Sequence, residues 1–209
     1  MATHLPKWLE WARAIQALAQ TGLTFSKNEF DAERYQRLLE IAAEMVESQT
    51  DLSKERVLSH FSMQTGYATP KVDVRGALVQ EGKILLVQER SDGRWSMPGG
   101  WADVGDVPSK AVAREVREES GFKVKVEKVI ALLDANRFLF APLEFYHAYK
   151  IIFLCSLVGG TARPSNETLA VGFFDPAALP PLSSMRTDRQ MLKEVFAHIQ
   201  DPARPTAFD

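Results

Sequence analysis

The spacing of apolar side chains changes period part-way along the chain. Leu5, Trp8, Leu9, Ala12, Ile15, Leu18 and Ala19 recur at helical intervals, the stripe that one face of an α-helix buries. Gly22 after Thr21 predicts the stop. A second helix is predicted from an N-cap at Asp31, with Tyr35, Leu38, Leu39, Ala42, Met45 and Val46 inward. A short third one is predicted from Ser53 to about His60, carrying Val57, Leu58 and Phe61. The run Thr65-Gly66-Tyr67-Ala68-Thr69-Pro70 has no helical period and predicts a boundary. Beyond it Val72, Val74 and Gly76 to Val79 predict a strand, Glu81-Gly82 a tight turn, and Ile84 to Val87 its hairpin partner. Further strands are expected over Val124 to Leu133, Phe145 to Leu157 and Ala170 to Phe174. Arg189 to Ile199 predicts a closing helix with Met191, Leu192, Val195, Phe196 and Ile199 on its apolar side. Asp134 to Glu144 and Pro176 to Pro181 read as loops, and the tail Pro202 to Asp209 is expected to fray. The expected fold class is α/β, a mixed sheet between helices, over residues 65–209, preceded by a small α-helical domain over residues 1–64.

One stretch carries chemistry. From Pro98 to Pro108 the chain is rich in glycine and turn residues; Pro108-Ser109 then opens a helix, and Gly121 ends it where a left-handed C-cap costs nothing. On that helix Glu115, Glu118 and Glu119 fall within one third of the circumference, while Val112, Ala113 and Val116 turn elsewhere. Like charges three and four residues apart repel, and Arg114, four residues before Glu118, cannot neutralise all three. Two readings stand at this point: a solvated acidic face, or a seat for a cation. Hard divalent ions such as Mg²⁺ (or Mn²⁺) take oxygen ligands, and Mg²⁺ uses one or two carboxylates together with substrate phosphates and water.

Read from Gly100 to Phe122, the pattern Gly-x5-Asp-x7-Arg-Glu-Val-x-Glu-Glu-x-Gly-Phe resembles the signature of the Nudix hydrolases at every fixed position but Asp106, where that family usually has Glu. The resemblance implies an α/β/α sandwich and hydrolysis of a nucleoside diphosphate linked to a second moiety. It also implies Glu115 and Glu119 as direct metal ligands with the Gly99 carbonyl, Glu118 binding directly or through water, and Arg114 orienting the glutamates. Asp106 is expected to cap the helix or hold the loop; Asp103 joins the acidic cluster or is an exposed turn residue. Nudix enzymes differ in where the general base lies; Glu118 is expected here, with Glu144 and Glu167 as alternatives. The stretches Lys7 to Ala12, Gln16 to Thr24 and Pro98 to Gly105 look like the Nudix subgroup with a helical N-terminal domain, to which CDP-choline pyrophosphatases and proteins labelled ADP-ribose pyrophosphatases belong. Its members are dimers, which implies a homodimer through the N-terminal helices and a contribution from them to the substrate cleft.

Substrate recognition falls to groups outside the signature. Arg75, Arg90, Arg137 and Lys150 are candidate phosphate contacts, and Trp101 and Phe140 candidate stacking or lid residues. The apolar loop Asn136 to Pro142 suits a trimethylammonium group through cation–π attraction, so CDP-choline is the first expectation and ADP-ribose the second. A non-catalytic nucleotide-binding module is the rival class, opposed by the retained glutamates. The chain has 209 residues, 45% hydrophobic, with 25 Lys+Arg against 27 Asp+Glu and a formal net charge of −2. That balance gives no reason to expect nucleic acid or an anionic membrane as partner. The single cysteine, Cys155, lies in the apolar run Ile151 to Cys155 and reads as a core thiol. Met1 to Pro6 has no apolar core of a leader, and a reducing, cytoplasmic setting is expected.

Overall fold

The structure is a computed structural model and describes residues 6–62, 66–135 and 147–209. Its contacts divide the chain into two compact units, one running up to Pro70 and the other from Lys71 to Asp209.

The first unit holds helices α1 (Lys7–Phe25), α2 (Glu29–Glu47) and α3 (Lys54–Ser62). Leu9, Ala12 and Ala19 of α1, Leu39, Ala42, Ala43 and Val46 of α2, and Val57 and Phe61 of α3 are buried, as the helical spacing predicts. Two ends differ from expectation. Gly22 does not stop α1, which continues to Phe25; a Cβ there would collide with the Tyr35 ring, so the glycine serves the close approach of two helices. The N-cap of α2 is Asn28, whose side chain accepts from the Phe30 amide at 2.9 Å. Asp31 lies in the first turn and pairs with Arg34 at 2.6 Å, where an acid also favours the helix dipole.

The second unit is built on β1 (Lys71–Gln80), β2 (Lys83–Glu89), β3 (Trp95–Ser96), β4 (Gly99–Trp101), β5 (Phe122–Asp134), β6 (Ala148–Gly160), β7 (Thr168–Phe174) and β8 (Ala207–Phe208). Among the described residues its helices are α4 (Pro108–Ser120) and α5 (Arg189–Gln200). The order is β3-β2-β1-β6-β5-β8, with β4 on β1 and β7 on β2. β1 runs parallel to β6 and β5 parallel to β8, while β1–β2, β1–β4, β5–β6 and β2–β7 are antiparallel, so the sheet is mixed. Glu81 and Gly82, at φ 50 and 75, make the tight turn of the β1–β2 hairpin.

Side chains alternate between two cores. Val74, Leu78, Leu85 and Phe153 pack with Ala111, Val112 and Val116 of α4. Ala77, Ile84, Leu86 and Ile152 pack on the other face with Met191, Leu192 and Val195 of α5. The result is an α/β/α sandwich, as expected. Cys155 is buried in the first core, which pushes its thiol up to about 12, so it is a packing residue. No described helix is long and apolar enough to cross a membrane.

Two further corrections concern the C-terminal segments. On α5 His198 is buried and Ile199 is 40% exposed: the imidazole lies between two carbonyls, Glu194 O at 3.0 Å and Pro205 O at 3.2 Å, so whichever ring nitrogen carries a proton finds an acceptor inside. The tail does not fray. Thr206 Oγ1 donates to Val129 O at 2.8 Å, Lys128 Nζ donates to Pro202 O at 2.7 Å, and Ala207-Phe208 pairs along Ala131-Leu132. Removing residues 202–209 therefore uncovers the β5 edge and strips these hydrogen bonds, each worth about 1 kcal/mol net. The expected loss is about 2–3 kcal/mol, read as a lower midpoint in urea unfolding; an unchanged midpoint would mean the tail contributes nothing.

Candidate active site

The site grows from the junction of β4 and α4. Gly99 has φ 142, and a Cβ on it would strike the Val74 carbonyl oxygen, so only glycine lets β4 lie this close to β1. Its amide donates to Glu119 Oε2 at 2.9 Å. α4 begins with Pro108 at its first turn and ends at Gly121, φ 79, in the left-handed conformation, as the sequence predicts. A 13-residue helix fixed at both ends places its three glutamates at different depths. Glu119 is 6% exposed, Glu115 half-buried and Glu118 exposed.

Depth sets the acid strength of Glu119 and Glu115. Burial pushes the Glu119 carboxyl up to about 7; Glu89 and Glu115 add to the rise, while Arg75 and the Gly99 amide oppose it. Burial likewise raises Glu115, helped by Glu118 and Glu167 and opposed by Arg114. Arg114 Nη2 donates to Asp106 Oδ2 at 2.9 Å and lies 3.3 Å from Glu115 Oε1, whereas Glu118 is 3.9 Å from Nη1. The helix pair with Glu118 is thus the weaker contact. Asp106 does not cap α4, whose N-cap is Val107; it holds the loop, accepting from the Asp103 amide at 3.1 Å. Asp103 is an exposed turn residue 3.7 Å from Arg114.

Around these groups lies a cavity of about 500 Å³ whose acids are Asp73, Glu89, Glu115, Glu118, Glu119 and Glu167 and whose cations are Arg75, Arg114 and Arg186. Trp101 lines it too, with Lys71 Nζ 6.0 Å from its ring. Glu167 is carried by the segment Ser165–Glu167, which Arg90 ties down: its backbone amide donates to Glu167 O at 2.9 Å and its Nε to Asn166 O at 2.8 Å. Arg90 thereby supports the cavity wall and is absent from its lining.

Arg75 and Lys150 stand differently from the expectation of phosphate contacts. Both are 3% exposed. Arg75 donates twice to Asp73 at 2.7 Å and once to Met97 O at 3.1 Å, and Lys150 Nζ lies 3.3 Å from Asp73 Oδ2. Burial alone would weaken the Asp73 acid, but its two cations outweigh that and leave its pKa lowered. The strand alternation that aims Arg75 at the cleft is correct, yet buried charge needs a partner, and Asp73 two residues earlier supplies it. Arg137, Phe140 and Glu144 lie outside the described residues.

Sequence reasoning missed Glu89 and Arg186. Glu89 ends the apolar run of β2, where nothing in the spacing sets it apart, and accepts from Ser96 Oγ at 2.5 Å. Arg186 stands in the turn before α5, and no motif marks it.

Residues 69–195 match the NUDIX domain, and residues 6–61 match a UDP-X-like, N-terminal oligomerisation domain. The chain belongs to the Nudix family. As a Nudix hydrolase it cleaves a pyrophosphate linkage, the family's reaction, for which Nudix hydrolases generally use divalent metals. It is 40% identical over 203 residues, 97% of each chain, to “Putative ADP-ribose pyrophosphatase YjhB” of Bacillus subtilis. An ADP-ribose pyrophosphatase of Methanocaldococcus jannaschii is 29% identical over 62% of this chain and 75% of that one. Among solved structures, a UDP-X diphosphatase superposes with TM-score 0.63 at 34% identity over 97% of this chain and 98% of that one. An ADP-ribose pyrophosphatase from Streptococcus suis gives TM-score 0.62 at 40% identity over 68% and 100%.

The donor set fits a hard divalent ion. Glu119 and Glu115 are acids whose burial is incompletely compensated, as their raised pKa values show, and a cation would offset that cost. Among the described residues no three of His, Cys, Asp and Glu are already close enough to hold an ion by themselves, so oxygens of a ligand or water would have to complete a shell.

The Glu119 shift has a consequence for stability. The unfolded chain releases this proton near 4.5, the folded chain near about 7. Stability from this group therefore falls as pH rises through that interval and stays reduced above it, by on the order of 3 kcal/mol at most. With chelator present, Glu119→Gln should match or exceed the parent's melting temperature at about pH 8 and lose part of the parent's decline from about pH 5. Identical pH profiles of melting temperature would refute the assignment.

Proposed function

We propose that this Nudix hydrolase acts on a nucleoside diphosphate derivative with Mg²⁺ or Mn²⁺, and that ADP-ribose is the substrate, giving AMP and ribose 5-phosphate. The observation that carries the metal-dependent reading is the acidic cavity in which Glu115, Glu118 and Glu119 of α4 meet Glu89 and Glu167. ADP-ribose is preferred over CDP-choline because three of the similar proteins bear that activity in their names. The argument for choline rested on the loop Asn136 to Pro142, outside the described residues. The UDP-X diphosphatase likeness supports UDP-linked compounds as the second choice.

In this reading Glu115 and Glu119 are the metal ligands, joined by the Gly99 carbonyl and by Glu118 directly or through water. A divalent ion held by these groups would mask phosphate charge and would lower the pKa of a water bound to it. Arg114 keeps Glu115 in place from its anchor on Asp106. Glu118, the exposed acid of the three, takes the proton of the attacking water; Glu167 is the alternative, facing Glu115 from a tethered segment. Trp101 flanks the cleft as a stacking surface.

A homodimer through the N-terminal helices belongs to the same reading. Trp11, Leu18 and Phe25 follow one another at intervals of seven on α1 and are 55%, 69% and 66% exposed. Residues seven apart drift only about 20° round a helix, so they form one apolar stripe, and a second copy of the matched oligomerisation domain is the partner it suits.

Two experiments test this. Phosphate-linked assays with ADP-ribose, UDP-sugars and CDP-choline, each with Mg²⁺ and Mn²⁺, should give the highest kcat/KM for ADP-ribose and none with chelator; no hydrolysis of any of them would defeat the proposal. Glu119→Gln should lower kcat by about 10²-fold or more, and Glu118→Gln should do so more than Glu167→Gln if Glu118 is the base. Separately, Trp11→Glu with Leu18→Glu should halve the mass seen by light scattering, and a double variant that keeps the parent's mass would remove α1 from the contact.

A further inference from the structure

We propose that Arg186 is a substrate-binding residue of the cleft, gripping a phosphate oxygen of the diphosphate. This rests on the reading of the cavity as a diphosphate site and names the side chain that draws the anion in. The cavity presents six acids against three arginines. Two of those cations are already engaged at short range: Arg75 by Asp73 at 2.7 Å and Arg114 by Asp106 at 2.9 Å. Arg186 is not. Among the described residues its guanidinium meets Ser183 Oγ at 3.2 Å and Glu89 Oε1 at 3.4 Å, with Asp92 at 3.9 Å. The Glu89 oxygen that faces it already accepts from Ser96 Oγ at 2.5 Å, and the Asp92 oxygen accepts from Ser183 Oγ at 2.8 Å. Each of those two oxygens thus also accepts a serine hydroxyl, and the guanidinium is held between them at distances longer than a good charge-assisted bond.

The backbone beneath it is fixed. The Arg186 and Thr187 amides both donate to Ser183 O at 2.8 Å, the Ser183 amide donates to Trp95 O at 2.8 Å, and Thr187 Oγ1 accepts from the Met97 amide at 2.9 Å. The turn is therefore pinned to Trp95 and Met97, in the stretch before Gly99, and Arg186 reaches the cleft from outside α4. A diphosphate entering such an acidic cavity needs a cation besides those gathered by α4, and a guanidinium offers paired N–H donors to phosphate oxygens. The side chain, 31% exposed, is open enough to be reached and buried enough for the contact to count. A purely structural role, balancing buried Glu89, is the rival account, and it predicts different kinetics.

The test combines turnover and binding. Arg186→Ala, and Arg186→Gln should the alanine variant fold poorly, are compared with the parent for ADP-ribose hydrolysis and, by calorimetry with Mg²⁺, for binding of α,β-methylene-ADP, which cannot be cleaved between its phosphorus atoms. The expected result is KM raised about tenfold or more with a smaller change in kcat, binding of the analogue weakened about as much, and partial recovery in Arg186→Lys. Binding and KM equal to the parent's, whether or not the melting temperature falls, overturn the inference. A parent that binds the analogue through Arg186 yet hydrolyses no substrate leaves the inference standing and defeats the proposed function; a parent that neither binds nor hydrolyses defeats both.

Discussion

A carboxylate buried on a helix and tied to the amide of a glycine is the join on which the site depends. Glu119 cannot sink into the protein unless β4 runs close enough for the Gly99 amide to meet it, and β4 cannot run so close unless residue 99 lacks a side chain. The same approach requires α4 to lie flat on β1, which Gly76 permits, since a Cβ there would collide with Val116. Packing and acidity are therefore coupled: Val112 and Val116 fill the core under α4, and Glu119, seven residues after Val112 and so almost in line with it, is carried out of water along the same side of the helix. The cost appears as a raised pKa, a penalty that folding tolerates and that a bound cation would relieve.

Charge compensation elsewhere in the second unit follows the same economy of space. Asp73 faces Arg75 two residues on along β1 and Lys150 directly across on β6, whose register sets Asp73 beside Lys150. Three charged groups are buried together, with one more cation than acid, beside a cavity with more acids than cations. Arg75 lowers the pKa of Glu119, so it helps to keep that acid ionisable from a distance. Breaking such a group by removing one member leaves charge uncompensated in the interior and is costly, which separates Arg75 and Lys150 from cations free to greet a ligand.

The fold was legible wherever periodicity was strong. Helical spacing in α1, α2 and α5, the alternation that opens β1, the continuous apolar run of β2, and the proline start and glycine end of α4 all carry local causes that act within a few residues. What was not legible depended on distant partners. Gly22 reads as a stop until Tyr35 is seen against it. Ile199 reads as inward until His198 finds two carbonyls, and the tail reads as loose until Val129 offers an acceptor. Within the site, the glutamates of α4 share a helix face that spacing reveals, whereas Glu89 and Arg186 sit on different elements brought together only by the sheet. No window of sequence contains both.

Asp106 shows how a departure from a pattern can be absorbed. An aspartate is one methylene shorter than the usual glutamate, so the question is whether the carboxylate still reaches what it must hold. Here it does: one oxygen accepts from both Arg114 Nη2 at 2.9 Å and the Asp103 amide at 3.1 Å. The Asp106 amide in turn donates to Asp103 O at 3.0 Å, closing a tight turn. The shorter acid therefore still anchors both the turn and Arg114, which lies 3.3 Å from Glu115. Asp106, Asp103 and Arg114 are thus joined through a single carboxylate oxygen, so a change at 106 acts on the turn from 103 to 106 and on the arginine beside Glu115 together.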